Sequence, residues 1–73
     1  MAPLLLMGQA YTDEGDLRRA LGAYREATRV QPGNPRTWRA LALFLGGDRE
    51  AREAWRRVHR LDPQDSEAAI RAG

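Results

Sequence analysis

Apolar and small residues along this chain recur with the period of an α-helix. Near the N-terminus they occupy an i, i+3, i+4, i+7 pattern, which places them on one helical face. These residues are Leu4, Met7, Gly8 and Tyr11. A second stripe of the same period comprises Leu17, Ala20, Leu21, Tyr24 and Ala27. The pattern predicts two amphipathic helices in the first half of the chain.

Residues that favour helix ends divide the chain into further segments. Asp16, Asn34 and Asp48 each precede a periodic segment, and their side chains can accept a hydrogen bond from a free backbone N–H group of the first turn. Pro32 and Pro63 end the helical segments that precede them. The predicted helices cover residues 3–14, 17–30, 35–45, 48–61 and a short segment from 66.

The pattern of the first half is repeated in the second half. The quartet Leu4, Met7, Gly8 and Tyr11 is matched 34 residues later by Trp38, Leu41, Ala42 and Leu45. The quartet Ala20, Tyr24, Ala27 and Pro32 is matched 31 residues later by Ala51, Trp55, Val58 and Pro63. The second unit has therefore lost 34 − 31 = 3 residues between its halves. We expect the bulk of Phe44 to refill part of the lost space.

A helix–turn–helix unit of 34 residues with this order of large, small, aromatic and proline positions resembles the tetratricopeptide repeat. Leu4 stands where that family often has Trp, and Trp38 supplies this Trp in the second unit. The resemblance implies an all-α fold of stacked antiparallel helical hairpins, a fragment of a right-handed solenoid. It divides the chain into a repeat at 1–34, a shortened repeat at 35–65, and a third repeat's start or a capping helix at 66–73.

Stacked hairpins share a core because a lone helical hairpin cannot bury both of its faces. Small residues such as Gly8 and Ala42 allow two helices to approach closely, and aromatic residues fill the remaining space. We therefore expect five large residues to be mostly buried. They are Tyr11, Tyr24, Trp38, Leu41 and Trp55.

The last segment offers little apolar cover. Only Ala69 and Ala72 have core spacing there, so we expect the surface formed by Trp55, Val58, Leu61 and Ile70 to be poorly covered. Repeat arrays generally need about three units to be stable. The chain is therefore expected to be an excerpt of a longer array or to associate with a second copy of itself, as a homodimer.

Composition argues against catalysis. The 73 residues include one His, one Ser and no Cys, which leaves few residues for a nucleophile and its base or for a zinc site with three or four nitrogen or sulfur ligands. We expect no cofactor. No apolar run approaches the roughly 20 residues that a transmembrane helix needs, and no targeting signal is visible, which favours the cytoplasm.

Charge leaves nucleic-acid binding open as an alternative. The net charge is +2, and all twelve basic residues are Arg. Four of them follow one side of the fourth helix, and two lie on the second helix. They are Arg49, Arg52, Arg56 and Arg60, then Arg25 and Arg29. Clustered positive charge is typical of phosphate contact, although Glu50 and Glu53 interrupt this stripe.

Acidic residues lie one helical turn from several of these arginines, a spacing that favours ion pairs on exposed helix surfaces. The expected pairs are Glu14–Arg18, Asp48–Arg52, Arg49–Glu53 and Glu53–Arg57.

The resemblance implies a protein-binding module, because first helices of successive tetratricopeptide repeats line a concave groove that holds a segment of a partner. The residues one position away from the core stripe are expected to face that groove. They are Leu5, Gln9, Thr12, Arg36, Arg39, Leu43 and Ile70. This mixture of apolar and Arg side chains suits a partner with acidic and apolar residues. Alternatively, Leu5 and Leu43 only flank the core or contact a further repeat.

Overall fold

A computed structural model describes residues 3–72, which form five α-helices and no β-strand within that range. The helices are α1 (Leu4–Asp13), α2 (Leu17–Val30), α3 (Pro35–Leu45), α4 (Arg49–Leu61) and α5 (Ser66–Ala72). The predicted all-α class is confirmed, and each predicted bound agrees with the structure to within one residue. Among the described residues, no helix is long and apolar enough to cross a membrane.

The predicted capping residues begin three of the helices. The side chain of Asp16 accepts a hydrogen bond from the backbone N–H of Arg19 at 3.1 Å. Asp48 does the same for Ala51 at 2.8 Å. Asn34 accepts from the N–H of the residue that follows Pro35, at 3.0 Å. Each cap satisfies a donor that has no partner inside the helix, which determines where the helix begins.

Glycines with positive φ allow the sharp turns within the two hairpins. Gly15 has φ of 80° after α1, and Gly46 has φ of 83° after α3. This left-handed region is open to glycine and costly for residues with a Cβ atom. Consecutive helices then pack against one another, α1 on α2, α2 on α3, α3 on α4 and α4 on α5.

The core lies along this sequence of helix contacts. As expected, Tyr24, Leu41 and Trp55 are buried. Tyr11 and Trp38 are only half-buried. The indole N–H of Trp38 donates to the carbonyl oxygen of Pro32 at 2.8 Å, so its polar edge is used at the junction between the two hairpins.

Gly8 marks the closest approach of α1 and α2. A Cβ atom on Gly8 would lie 2.6 Å from Cε1 of Tyr24. The Tyr24 ring is buried and packs on Phe44 with ring centroids 5.3 Å apart. The ring therefore has little room to move away. The contact places Phe44 of α3 against α2, beside the core.

We expect Gly8→Ala to destabilise the fold. Overpacking a core costs about 1–3 kcal/mol, which exceeds the gain in helix propensity of about 1 kcal/mol. Gly22 provides the matched control, because it lies within α2 with no atom near the position of its missing Cβ. Gly22→Ala should therefore stabilise the chain. Urea unfolding of both variants measures the difference, and a gain in stability for Gly8→Ala would contradict the close approach.

Two expectations about buried apolar residues are wrong. Ala69 is exposed, and Ala68 is buried in its place with 0% exposure. Ala68 follows the buried Thr37 by 31 residues, so α5 keeps the register of α3, and the predicted core stripe did not include this position. Leu17 is 58% exposed because it is the first residue of α2 and lies at the end of the hairpin.

The expected gap in cover over α4 is also largely absent. Trp55 and Val58 are 2% and 0% exposed, because α5 packs on α4 above them. The prediction of poor cover is therefore wrong for these two residues. It is correct for Leu61 and Ile70, which are 39% and 79% exposed.

None of the four expected helical ion pairs forms in the part of the chain that the structure describes. Asp48 uses its carboxylate as a cap, and the guanidinium of Arg57 lies over the Trp38 ring, 5.1 Å from its centroid. Glu53 instead binds Arg56 at 2.6 Å. The other pairs within one helix or at its cap are Asp16–Arg19, Glu26–Arg29 and Glu67–Arg71.

Candidate functional site

The seven residues expected to contact a partner lie on α1, α3 and α5, the first helices of the predicted units. Leu5, Gln9 and Thr12 lie on α1; Arg36, Arg39 and Leu43 lie on α3; Ile70 lies on α5. The structure places one of these residues, Leu5, in the lining of a cavity and one, Arg39, in a cluster of charges. The other five belong to neither.

An apolar cavity of about 520 Å³ lies where α1, α2 and α3 meet. Its lining consists of Pro3, Leu4, Leu5, Met7, Ala27, Val30, Gln31 and Thr37. Leu5 is half-buried here and also packs against the core. The sequence pattern assigned Leu4 and Met7 to the core stripe, but both remain half-exposed. Val30, the last residue of α2, also lines the cavity and is 53% exposed. The sequence pattern did not indicate this exposure.

Arg36 lies next to this cavity in the chain, directly before Thr37. Its backbone N–H is held by Asn34, whereas its side chain is exposed and makes no ion pair with any residue from 3 to 72. The guanidinium is thus available to a partner. Of the predicted residues, Leu5 lines the cavity, and Arg36 directly precedes the lining residue Thr37 in the chain.

The polar predicted residues on α1 interact within their own helix. The Gln9 side chain is exposed and donates to Asp13 at 3.4 Å, a long and weak hydrogen bond. The Thr12 hydroxyl donates to the carbonyl oxygen of Gly8 at 2.8 Å. Leu43 on α3 is 54% exposed. Gln9 and Leu43 therefore remain accessible, and Thr12 retains only its acceptor capacity.

Arg39 connects α3 to the beginning of α5. Its Nη1 donates to Asp65 at 2.5 Å and its Nη2 donates to Glu67 at 2.7 Å. Its guanidinium also lies 5.6 Å from the centroid of the Trp55 ring, and that of Arg71 lies at the same distance. We refer to Arg39, Asp65, Glu67, Arg71 and Trp55 as the Arg39 cluster. The sequence reasoning treated Arg39 as a free side chain and did not find this cluster.

Hydrogen bonds in the Arg39 cluster shift two pKa values. The backbone N–H of Ala68, followed by the guanidinium of Arg39, lowers the pKa of Asp65, while partial desolvation opposes this shift. The hydrogen bond to Asp65 raises the pKa of Arg39. Because its folded pKa is lowered, Asp65 stabilises the fold fully above the ordinary pKa of Asp. This contribution is lost as the pH falls through the lower folded value.

Comparison with known proteins agrees with the internal repeat. The profile of the tetratricopeptide repeat family matches residues 1–44, a range that contains α1, α2 and nearly all of α3. The chain belongs to the tetratricopeptide repeat family. No curated protein and no solved structure matches it significantly. The resemblance drawn from the repeated quartets is confirmed.

Tetratricopeptide repeats generally act as modules for protein–protein interaction, and this role applies to the chain at that general level. The matched range ends before Gly46, so α4 is related to α2 only by the internal 31-residue offset. The repeat boundaries at 34/35 and 65/66 remain predictions from the sequence. No group of three or more His, Asp or Glu residues between positions 3 and 72 could hold a metal ion.

Proposed function

We propose that this tetratricopeptide repeat chain is a non-catalytic module that binds a peptide or helical segment of a partner protein along α1, α3 and α5. The contact residues are Leu5, Gln9, Thr12, Arg36, Arg39, Leu43 and Ile70. One observation supports this proposal above the others. The apolar cavity that Leu5 lines also includes Thr37, the residue that follows Arg36, and the charge of Arg36 is not used within the described fold.

The cavity and Arg36 together specify the chemistry of the partner. A volume of about 520 Å³ lies within the range of pockets that hold small ligands or side chains. An apolar side chain of the partner would enter the cavity, and a nearby carboxylate would bind Arg36. Charge-assisted hydrogen bonds of this kind are roughly twice as strong as neutral ones. The partner segment is therefore expected to carry a large apolar residue close to Asp or Glu.

The two arginines of α3 have different roles in this proposal. Arg36 makes the direct contact, because its guanidinium is free. Arg39 already binds two carboxylates of this chain, so it acts mainly by holding α5, and with it Ile70, beside α3. Reversing the charge of Arg39 would consequently affect folding as well as binding.

Arg36→Glu should weaken partner binding at least tenfold, about 1.4 kcal/mol, and leave the melting temperature nearly unchanged because the side chain is exposed. The probes are labelled synthetic peptides with Leu or Phe beside Asp or Glu, and fluorescence anisotropy measures their affinity. Arg52→Glu on α4, also exposed, is the charge-matched control and should have little effect. If Arg52→Glu weakens binding and Arg36→Glu does not, the proposed contact face is wrong.

Self-association is the second candidate function, and the exposure of Leu61 and Ile70 favours it. Molar mass measured by light scattering across a range of concentrations separates a homodimer from a monomer that binds other proteins. Nucleic-acid binding has less support, because three of the six arginines in the predicted basic stripe already have carboxylate partners. These are Arg25, Arg29 and Arg56. A cytoplasmic location stays a prediction from the sequence.

A further inference from the structure

A second groove lies between α4 and α5, on residues that the proposed contact face does not use. Its volume is about 550 Å³, and its walls are Arg56, His59, Arg60, Pro63, Ala69 and Ala72. One wall is basic and comes from the end of α4. The other wall consists of the small side chains of α5, with Ala69 exposed and Ala72 half-buried.

The internal repeat shows how such a groove is filled elsewhere in this chain. Arg56 follows Arg25 by 31 residues. Arg25 binds Glu50 across two helices, with Nη2 to Oε1 at 2.6 Å and Nε to Oε2 at 3.1 Å. Glu50 lies in the first turn of α4. Arg25, the residue that Arg56 repeats, therefore binds a carboxylate from the first turn of another helix.

The residues of the apolar wall also have counterparts 31 residues earlier in the chain. Ala69 and Ala72 follow Trp38 and Leu41 by 31 residues. On α3, which packs against α4, Leu41 is buried with 3% exposure. The alanines leave the corresponding volume on α5 empty, so a helix that packs there needs large apolar side chains to fill it.

The charges of the groove are available for such a helix. Arg60 makes no ion pair with the residues that the structure describes. Arg56 binds only Glu53 of its own helix, and the side chains of that pair are 53% and 61% exposed. An exposed pair of this kind contributes little, so Arg56 can bind an incoming carboxylate at small cost.

We infer that the α4–α5 groove is a second interaction surface, which binds an amphipathic helix of a partner protein. The partner helix carries carboxylates in its first turn and large apolar side chains on one face. It packs on α5 as α4 packs on α3, with a carboxylate on Arg56 as Glu50 of α4 binds Arg25 of α2. This surface is separate from the one that contains Leu5 and Arg36.

The test uses a labelled synthetic peptide of about 14 residues, near the shortest length that forms a helix in water. It carries two Glu in its first turn and Leu and Trp at i, i+3, i+4 and i+7. Fluorescence anisotropy with the whole chain should show binding that the double variant R56E/R60E weakens at least tenfold. A peptide with Ala in place of Leu and Trp should bind at least tenfold more weakly.

The matched control is R18E/R29E, which changes the net charge equally. Arg29 binds Glu26 three residues earlier in its helix, as Arg56 binds Glu53, and both control residues are exposed on α2. The control should retain peptide affinity, and R36E should retain it too, which separates this test from that of the proposed function. Far-UV circular dichroism verifies that every variant is folded.

Three results would overturn the inference. The first is that R56E/R60E binds the peptide as tightly as the unsubstituted chain does, or that the Ala-substituted peptide binds as tightly as the original. The second is that a single-stranded RNA oligonucleotide binds through Arg56 and Arg60 and the peptide does not, which would make the groove a phosphate-binding surface. The third is that light scattering shows a dimer that excludes the peptide and that is lost in R56E/R60E, which would make a second copy of this chain the occupant.

Discussion

Replacing Trp55 with Ala is expected to remove much of the stability of this fold, because large aromatic-to-alanine changes in a core cost about 3–5 kcal/mol. Trp55 is the largest side chain in the structure that is fully buried, and it lies on α4 with α5 packed above it. A chain of this length has only about 4–11 kcal/mol of stability in total. Urea denaturation followed by circular dichroism should show a large fall in the midpoint.

Conservative changes at the two tryptophans provide the control. The indole N–H of Trp55 is buried without a hydrogen-bond partner, so Trp55→Phe removes an unsatisfied donor and should cost far less than the change to Ala. Trp38→Phe deletes the 2.8 Å hydrogen bond to Pro32 and should cost about 1 kcal/mol. If Trp55→Phe is as damaging as Trp55→Ala, the packing account of Trp55 fails.

Reversing the charge of Arg39 is expected to release α5 from α3. The change places a third carboxylate beside Asp65 and Glu67 and removes both ion pairs and the contact with the Trp55 ring. We expect the melting temperature to fall by roughly 5–10 °C, which corresponds to a loss of one to two kcal/mol in a chain of this size. In a Trp38→Phe background, Trp55 fluorescence should shift to the red as its cover is lost.

Arg36→Glu is the matched control for Arg39→Glu, since it introduces the same charge one helical turn away on an exposed side chain. Its melting temperature should change little, as is usual for surface substitutions. Arg39→Lys should restore only part of the stability, because an ammonium group lacks the planar fork of a guanidinium. Equal melting temperatures for Arg36→Glu and Arg39→Glu would show that the Arg39 cluster does not hold α5.

Ion pairs between residues far apart in the sequence limited the prediction of the binding site. The placement of these residues one position away from the core stripe correctly predicted that Arg36 and Leu43 are exposed. It also treated Arg39 as free, although Arg39 binds carboxylates 26 and 28 positions further along the chain. Helical periodicity describes which residues of one helix share a face. It contains no information about which charge on another helix meets a given arginine.

Local patterns determined the helices of this protein, because helix ends depend on caps, glycines and prolines within a few residues. Asp16, Asn34 and Asp48 were therefore identified from the sequence alone. Tertiary packing decided the orientation of α5, where Ala68 and not Ala69 is buried. A helix of 7 residues has too few apolar positions to specify its buried face. Contacts with α4 and the Arg39 ion pairs select that face, and these form only in the folded chain.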